Sequence, residues 1–163
     1  MTLRVVKIAL VLGIALIYVL TVFNNLTDYN ANFQLVRHVL MMDSTLPDNG
    51  GLWRAINQPA LHHTFYITII LWEVATTILC VWGGLRLVRA FRGDAKAFYA
   101  ASNVAVGGLT FGLLMWLLAF LGVGGEWFLM WQSKAWNGQE AAFRMFTVVG
   151  IVLMVVLQRD SGD

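Results

Sequence analysis

Charged residues and cysteines are scarce in this chain. Of its 163 residues, 12% are Asp, Glu, Lys or Arg, whereas a typical soluble domain has roughly 25%. The single cysteine, Cys80, excludes an intrachain disulfide and any cysteine cluster that binds a metal. The net charge of +2 is too small and too scattered to indicate a nucleic-acid partner. These absences favour a protein whose surface faces lipid, so we expect the bilayer itself as one partner.

Long apolar runs separate the few charges. They lie at about 5–23, 64–85, 101–121 and 141–157. Each run is long enough to cross a bilayer core of roughly 30 Å as a helix. We therefore predict an all-α fold, a four-helix transmembrane bundle that forms a single domain over residues 1–163. The polar segments 24–63 and 122–140 then lie on one side, where turn and interface patterns predict an ordered outer cap of short interfacial helices.

Lysine and arginine positions predict the orientation of the chain. Most of them lie in the short segments at one end of the runs, as Arg4, Lys7, Arg86, Arg89, Arg92, Lys96 and Arg159. The longer polar segments carry only Arg37, Arg54 and Lys134. Because basic residues are enriched on the cytoplasmic side, we expect both termini in the cytoplasm. In a bacterium this is a multi-pass inner-membrane protein with a periplasmic cap.

Pairs of small residues predict close helix contacts in two of the runs. Ala9 and Gly13 lie one turn apart in the first run, and Gly108 and Gly112 have the same spacing in the third. Small side chains at this spacing allow helix backbones to approach each other. We therefore expect tight packing at both pairs.

Glu73 is the most unusual residue of the second run, because it lies ten residues after His63 and so ~15 Å below the predicted surface. An ionised carboxylate there costs several kcal/mol unless it is paired or faces a polar cavity. Arg144, near the start of the fourth run, is the expected partner if the two helices touch. One reading is structural, with Glu73 paired or protonated and bonded to Tyr18 or Thr77. The other is proton transfer, or binding of a quinone or cation.

The three histidines form a candidate metal site near the outer surface. Imidazoles at His38, His62 and His63, with two neighbouring methionines, are suitable ligands for copper or haem iron. Their spacing matches no metal motif, and consecutive residues on a helix point about 100° apart. Polar capping of a helix end is the simpler interpretation. His62 is the better candidate of the pair, because it shares a helix face with Glu73.

Tryptophans gather at the same predicted interface, which has two explanations. The indole ring is apolar and its N–H seeks water, so tryptophans concentrate at membrane surfaces in general. A docking surface for another subunit, or for a lipid or quinone head group, is the more specific explanation. The residues that we assign to a partner interface on this hypothesis are Trp53, Trp131 and Trp136.

Several strings of residues resemble one known family. They are Phe-Asn-Asn-Leu-Thr-Asp-Tyr at 23–29, Phe33-x-x-x-x-His38-Val-Leu-Met-Met-Asp43, Trp53-Arg54-Ala-Ile, Leu61-His62-His63 and Glu126-Trp127-Phe128-x-Met130-Trp131-Gln132-Ser133-x-x-Trp136-Asn137-Gly138-Gln139. The chain resembles, over nearly its whole length, a bacterial family of predicted small integral membrane proteins, domain of unknown function 2165. This resemblance implies a four-helix protein of the bacterial inner membrane. It implies no activity and no catalytic residue.

Three functional hypotheses follow. No Ser-His-Asp arrangement, pair of catalytic carboxylates or nucleotide loop is evident, so we do not expect an enzyme. The leading hypothesis is a small accessory or assembly subunit, without a cofactor, beside a larger inner-membrane complex such as one of electron transport. The alternative is a redox protein that binds haem b or a quinone at the outer helix ends. Its pocket would be lined by Tyr18, His62, Tyr66, Glu73, Trp127 and Arg144. The third is a proton or small-solute transporter that uses Glu73, although no inverted repeat is present.

Overall fold

The computed structural model describes residues 1–158, which form helices and connecting segments without a strand. The α-helices are α1 (Thr2–Thr27), α2 (Tyr29–Met41), α3 (Pro59–Arg89), α4 (Ala95–Leu114) and α5 (Gln139–Leu157). A π-helical segment, Met115–Trp127, continues α4 without a break, and single 3-10 turns lie at Leu52–Arg54 and Met130–Gln132. Arg159 and the end of the predicted domain lie outside the described residues.

The prediction of an all-helical fold with four membrane-crossing helices is confirmed. Within residues 1–158, four helices are long and apolar enough to span a bilayer: α1, α3, α5, and α4 together with the π-helical segment. They extend beyond the apolar runs at most of their ends. For example, α3 begins at Pro59, a residue that suits the first turn of a helix, and continues to Arg89. Polar residues at these ends stay helical because their long side chains can reach the membrane surface.

α3 is the central helix, because it packs against α1, α2 and α4. Glycines bring α3 and α4 close together. A Cβ atom added to Gly83 would lie 2.5 Å from the Cα atom of Ala105, and one added to Gly108 would lie 2.9 Å from the Cβ atom of Leu79. At Gly112 the neighbours are the Tyr18 hydroxyl and the methyl group of Thr76. The tight packing predicted at Gly108 and Gly112 is therefore confirmed.

The corresponding prediction for Ala9 and Gly13 is wrong. No atom lies within 4 Å of a Cβ added to Gly13, and both residues are on an exposed face of α1. α1 instead packs through larger residues, among which Val11 and Tyr18 are almost completely buried. Small-residue spacing permits a close contact but does not select the helix face that makes it.

Two buried cations hold one end of the bundle together. Arg4 donates hydrogen bonds to the carbonyls of Phe91 (3.0 Å) and Gly93 (2.7 Å), just after α3. Its guanidinium lies 4.7 Å from the ring centroid of Phe98 on α4. Lys7 donates to the carbonyl of Gln158, at the end of α5. Basic side chains stabilise helix C-termini in this way because the last carbonyls lack partners within the helix.

At the other end of the bundle, the connecting segments 28–58 and 128–138 pack against each other. The Ser44 hydroxyl donates to Ser133 Oγ at 2.7 Å, and the backbone N–H of Leu46 donates to Gln132 Oε1 at 3.2 Å. Leu40 and Phe128 are buried between the segments. The segments therefore hold a defined position over the helix ends.

Replacement of Gly83 tests the contact between α3 and α4. We expect Gly83→Ala to lower the free energy of unfolding by about 1–3 kcal/mol, because the added methyl group meets backbone atoms of Ala105. Gly107→Ala is the matched control: no atom lies within 4 Å there, so it should be neutral or stabilising by up to about 1 kcal/mol. Denaturant titration in detergent micelles measures both. Equal effects of the two substitutions would contradict this packing.

Candidate functional site

A buried hydrogen-bond network joins α1, α2 and α3. Asn25 Nδ2 donates to Glu73 Oε2 at 2.6 Å. Asn25 Oδ1 accepts hydrogen bonds from Asn32 Nδ2 at 2.7 Å and from the Tyr66 hydroxyl at 3.1 Å. Glu73 and Asn25 are each 3% exposed and Tyr66 is 1% exposed. Asn25 is therefore the central residue, since its single amide contacts all three of the others.

Local sequence explains how these residues meet. Asn25 lies in the last turn of α1, the chain turns at Asp28, and α2 starts at Tyr29 and returns over the end of α1. Asn32 is thereby placed beside Asn25. Tyr66 and Glu73 are seven residues apart on α3, which is two helical turns, so both lie on the same face. Packing of α1 against α3 then completes the network.

The network lines a cavity of about 220 Å³. Its polar lining consists of Thr21, Asn25, Asn32, Tyr66 and Glu73. No lysine, arginine or histidine is among the lining residues in the described part of the chain. Within residues 1–158, the carboxyl group of Glu73 is therefore the only acidic or basic side chain that lines the cavity.

An apolar groove of about 320 Å³ adjoins this cavity. It lies between α2, α3 and the π-helical segment, and it shares Leu35, Val36, Ile69 and Phe120 with the cavity lining. Among the described residues, Thr68 and Trp72 contribute polar groups to the groove, and both donate to backbone carbonyls, Thr68 to Thr64 and Trp72 to Phe111. The π-helical segment forms one wall. Such segments are rare and are often found at functional sites.

Tyr18, Tyr66 and Glu73 are the predicted pocket residues that the structure brings together. Tyr66 and Glu73 line the cavity directly. Tyr18 is 1% exposed, and its hydroxyl accepts a hydrogen bond of 2.9 Å from Trp116 Nε1. Trp116 in turn lines the cavity. Tyr18 therefore supports the wall of the cavity rather than lining it.

His62, Trp127 and Arg144, the remaining predicted pocket residues, lie elsewhere. His62 is 2% exposed, and its Nε2 donates to the carbonyl of Ile56 at 2.8 Å, which fixes the start of α3. Trp127 is 49% exposed, at the end of the π-helical segment. Arg144 is exposed on α5. None of the three lines the cavity.

The expected ion pair between Glu73 and Arg144 is not formed. Among residues 1–158, the partner of the Glu73 carboxylate is the Asn25 amide. α5 packs mainly against α4 and the π-helical segment, so α3 is not its main neighbour. The side chain of Arg144 is consequently exposed, and a neutral amide occupies the place that we predicted for a cation.

The three candidate metal ligands have separate partners. His38 Nδ1 donates to Asp43 Oδ2 at 2.6 Å, and its ring stacks on Trp136 with centroids 4.4 Å apart. His63 is hydrogen-bonded to the Tyr29 hydroxyl at 2.9 Å. His62 donates to the backbone carbonyl of Ile56. In the described part of the chain, no three His, Cys, Asp or Glu side chains form a group that could hold a metal ion.

The tryptophans assigned to a partner interface divide into two groups. Trp53 is 77% exposed and Trp131 is 49% exposed. Trp53 packs edge to face with Trp127, and the guanidinium of Arg54 lies 5.2 Å from the Trp127 ring centroid. Trp136 instead stacks on His38, inside the packed connecting segments. Trp53, Arg54 and Trp127 therefore form an exposed aromatic surface.

Asn25, Asn32 and Trp116 were missed as site residues by the sequence analysis. A signal for Asn25 was present, because Tyr18, Thr21 and Asn25 recur at helical spacing and form one polar edge of α1. For Asn32 no comparable signal exists, since its position depends on how α2 folds back. Trp116 lies within an apolar run, where a tryptophan is indistinguishable from a lipid-facing side chain.

Comparison with known protein families identifies the chain. A family model described as "Predicted small integral membrane protein (DUF2165)" matches residues 3–159. The chain belongs to this family. Membership confirms the resemblance carried by the polar motifs, and it makes this DUF2165 protein an integral membrane protein that contacts lipid. The family description names no activity. Comparison with curated proteins and with solved structures found no match.

The adjacent residues Asn24 and Asn25 allow a direct test of the network. We expect Asn25→Ala to lower the free energy of unfolding by about 1–3 kcal/mol, because Glu73, Tyr66 and Asn32 each lose a buried partner. Asn24→Ala removes the same side chain from an exposed position and should change stability by less than about 0.5 kcal/mol. Thermal unfolding in micelles measures the difference. Similar effects of both substitutions would exclude a central role for Asn25.

Proposed function

We propose that this protein binds a membrane-soluble amphiphile, with the polar head in the Glu73 cavity and the apolar chain in the adjoining groove. The observation that carries the proposal is the shared wall of the two spaces, formed by Leu35, Val36, Ile69 and Phe120. Binding sites for small molecules in proteins combine an apolar lining with a few convergent polar groups. Here the buried polar groups are at one end of an otherwise apolar space.

The charge of the cavity limits which head group can bind. Glu73 has no cationic neighbour among the lining residues, so an anionic head would be repelled in surroundings of low dielectric constant. A neutral head with hydroxyl groups, or a cationic one, can instead donate to the carboxylate. The Tyr66 hydroxyl and the Asn25 amide supply further hydrogen-bonding groups. The proposed ligand is therefore neutral or cationic at its head.

A quinone fits this description better than haem does. Haem b needs an axial ligand, usually an imidazole, and His38, His62 and His63 are all engaged away from the cavity. A quinol has a neutral aromatic head with hydroxyl groups and a long apolar chain. The aromatic side chains of Trp116 and Phe120 line the cavity and can pack against such a ring. We therefore take the reduced form of an isoprenoid quinone, the quinol, as the preferred ligand class.

Photolabelling tests this proposal on the purified protein in lipid nanodiscs. The probe is a short-chain ubiquinol that carries an azide, and labelled peptides are mapped by mass spectrometry. We expect labelling of α2 and the π-helical segment. Glu73→Gln should weaken the apparent affinity by about tenfold, because the neutral glutamine amide accepts a hydrogen bond from the quinol hydroxyl more weakly than the carboxylate does. Glu140→Gln, an exposed carboxylate on α5, is the control and should change nothing.

A second pair of variants tests the groove. Ala119 lines the groove, so Ala119→Trp should fill it and abolish specific labelling. Leu117→Trp places the same ring on the exposed side of this helical segment and should leave labelling intact. Labelling spread over the lipid-facing side of α1, and equal in all variants, would refute the proposal.

The exposed aromatic surface supports a second function, that of an accessory subunit beside a larger bacterial inner-membrane complex, such as one of electron transport. Tryptophan and arginine are the residues most enriched among the energetically important contacts of protein interfaces. The large side chain of Trp53 is 77% exposed although it touches Trp127 at one edge. The distribution of Lys and Arg supports cytoplasmic termini, which would place this surface in the periplasm. Both functions can belong to one protein.

Purification from native membranes in a mild detergent, followed by mass spectrometry, tests the accessory role. We expect a stoichiometric larger membrane subunit that is lost in the variant Trp53→Ala/Trp127→Ala. Trp82→Ala removes an exposed tryptophan at the opposite end of α3 and should retain the partner. A wild-type chain that purifies alone would contradict the accessory role without affecting the amphiphile proposal.

A further inference from the structure

We propose that the end of α3 remote from the connecting segments binds the head group of an anionic glycerophospholipid. A shallow pocket of about 430 Å³ lies there on the surface of α3 and α4. It is lined by Trp82, Arg86, Arg89 and Ala90 of α3 and by Ala101 of α4. This site is separate from the Glu73 cavity and does not depend on the function proposed for it.

Helical geometry places the basic groups together. Trp82, Arg86 and Arg89 follow at steps of four and three residues, so they share one face of α3. Arg86 is half-buried and Arg89 is exposed. Within the described residues, neither guanidinium has a carboxylate at ion-pair distance. Two planar guanidinium groups one turn apart can therefore donate to one phosphodiester.

The surroundings of the pocket are basic as well. Arg92 and Lys96 follow in the turn between α3 and α4, and Arg4 donates to the carbonyls of this turn. Asp94 is the only carboxylate in residues 82–101, and its Oδ1 accepts from the backbone N–H of Ala97 as the cap of α4. An anion is attracted to such a site, and basic pockets between membrane helices are known to hold anionic head groups.

The apolar flank of the pocket selects a lipid over a soluble anion. Leu85 and Val88 lie on the same stretch of α3 and are each 47% exposed. Trp82 is 51% exposed, and the indole of tryptophan favours the level of the lipid head groups. The small side chains of Ala90 and Ala101 leave room between the helices. A phospholipid can use both parts at once, with its phosphate at the arginines and its acyl chains along the apolar flank.

Native mass spectrometry tests this site. The full-length protein in detergent is mixed with equal amounts of phosphatidylglycerol and phosphatidylcholine that have identical acyl chains. We expect the bound ratio to favour phosphatidylglycerol by roughly tenfold, and the variant Arg86→Gln/Arg89→Gln to bring it close to unity. Arg37→Gln/Arg144→Gln removes the same charge from two other exposed positions and should keep the preference.

Three outcomes would overturn the proposal. They are equal retention of both lipids by the wild type, an unchanged preference in the Arg86→Gln/Arg89→Gln variant, and displacement of the lipid by inorganic phosphate at equal concentration. The last result would mean that the pocket recognises a free anion and not a lipid. If the double variant does not fold, Arg89→Gln alone, at an exposed position, should still reduce the preference several-fold.

Discussion

A carboxyl group in the apolar part of a membrane helix needs a polar partner, because leaving it unpaired in lipid costs several kcal/mol. The partner of Glu73 is the amide of Asn25, which also accepts hydrogen bonds from α2 and from Tyr66. Satisfying one acidic side chain thus fixes the end of α1, the return of α2 and the register of α3 relative to both. The arrangement of the site depends on this interaction.

The two ends of the molecule differ in the charge of their polar groups. Near the connecting segments, the hydrogen-bond partner of the Glu73 carboxylate is an uncharged amide, so the cavity keeps an acidic character. An apolar groove adjoins this cavity. At the opposite end, Arg4 and Lys7 bond to backbone carbonyls, and the arginines of α3 border a basic pocket. We propose that the first end binds a neutral or cationic amphiphile and the opposite end an anionic lipid.

The helices could be predicted from the sequence because the length of an apolar run is a local property. The spacing of small residues is also a local property, and it predicted the close packing at Gly108. Gly13 has the same spacing but no close contact, because the pattern does not determine which helix face meets a neighbour. The order of helices around a bundle is not local. The ion pair of Glu73 with Arg144 was a reasonable expectation that failed for this reason, and Asn25 was missed because its partners are 41 and 48 residues away in the chain.

Nuclear magnetic resonance of the side-chain amide of Asn25, with isotope-labelled asparagine in micelles, reports directly on the hydrogen bond between Asn25 and Glu73. The amide signal is followed while a short-chain quinol is added. If the Glu73–Asn25 network forms the head-group site, this signal shifts and saturates with the ligand, and Glu73→Gln displaces it even before any ligand is added. An Asn25 signal that stays unchanged in both cases, while lipid-facing residues respond to the quinol, would show that the Glu73–Asn25 network is not the head-group site.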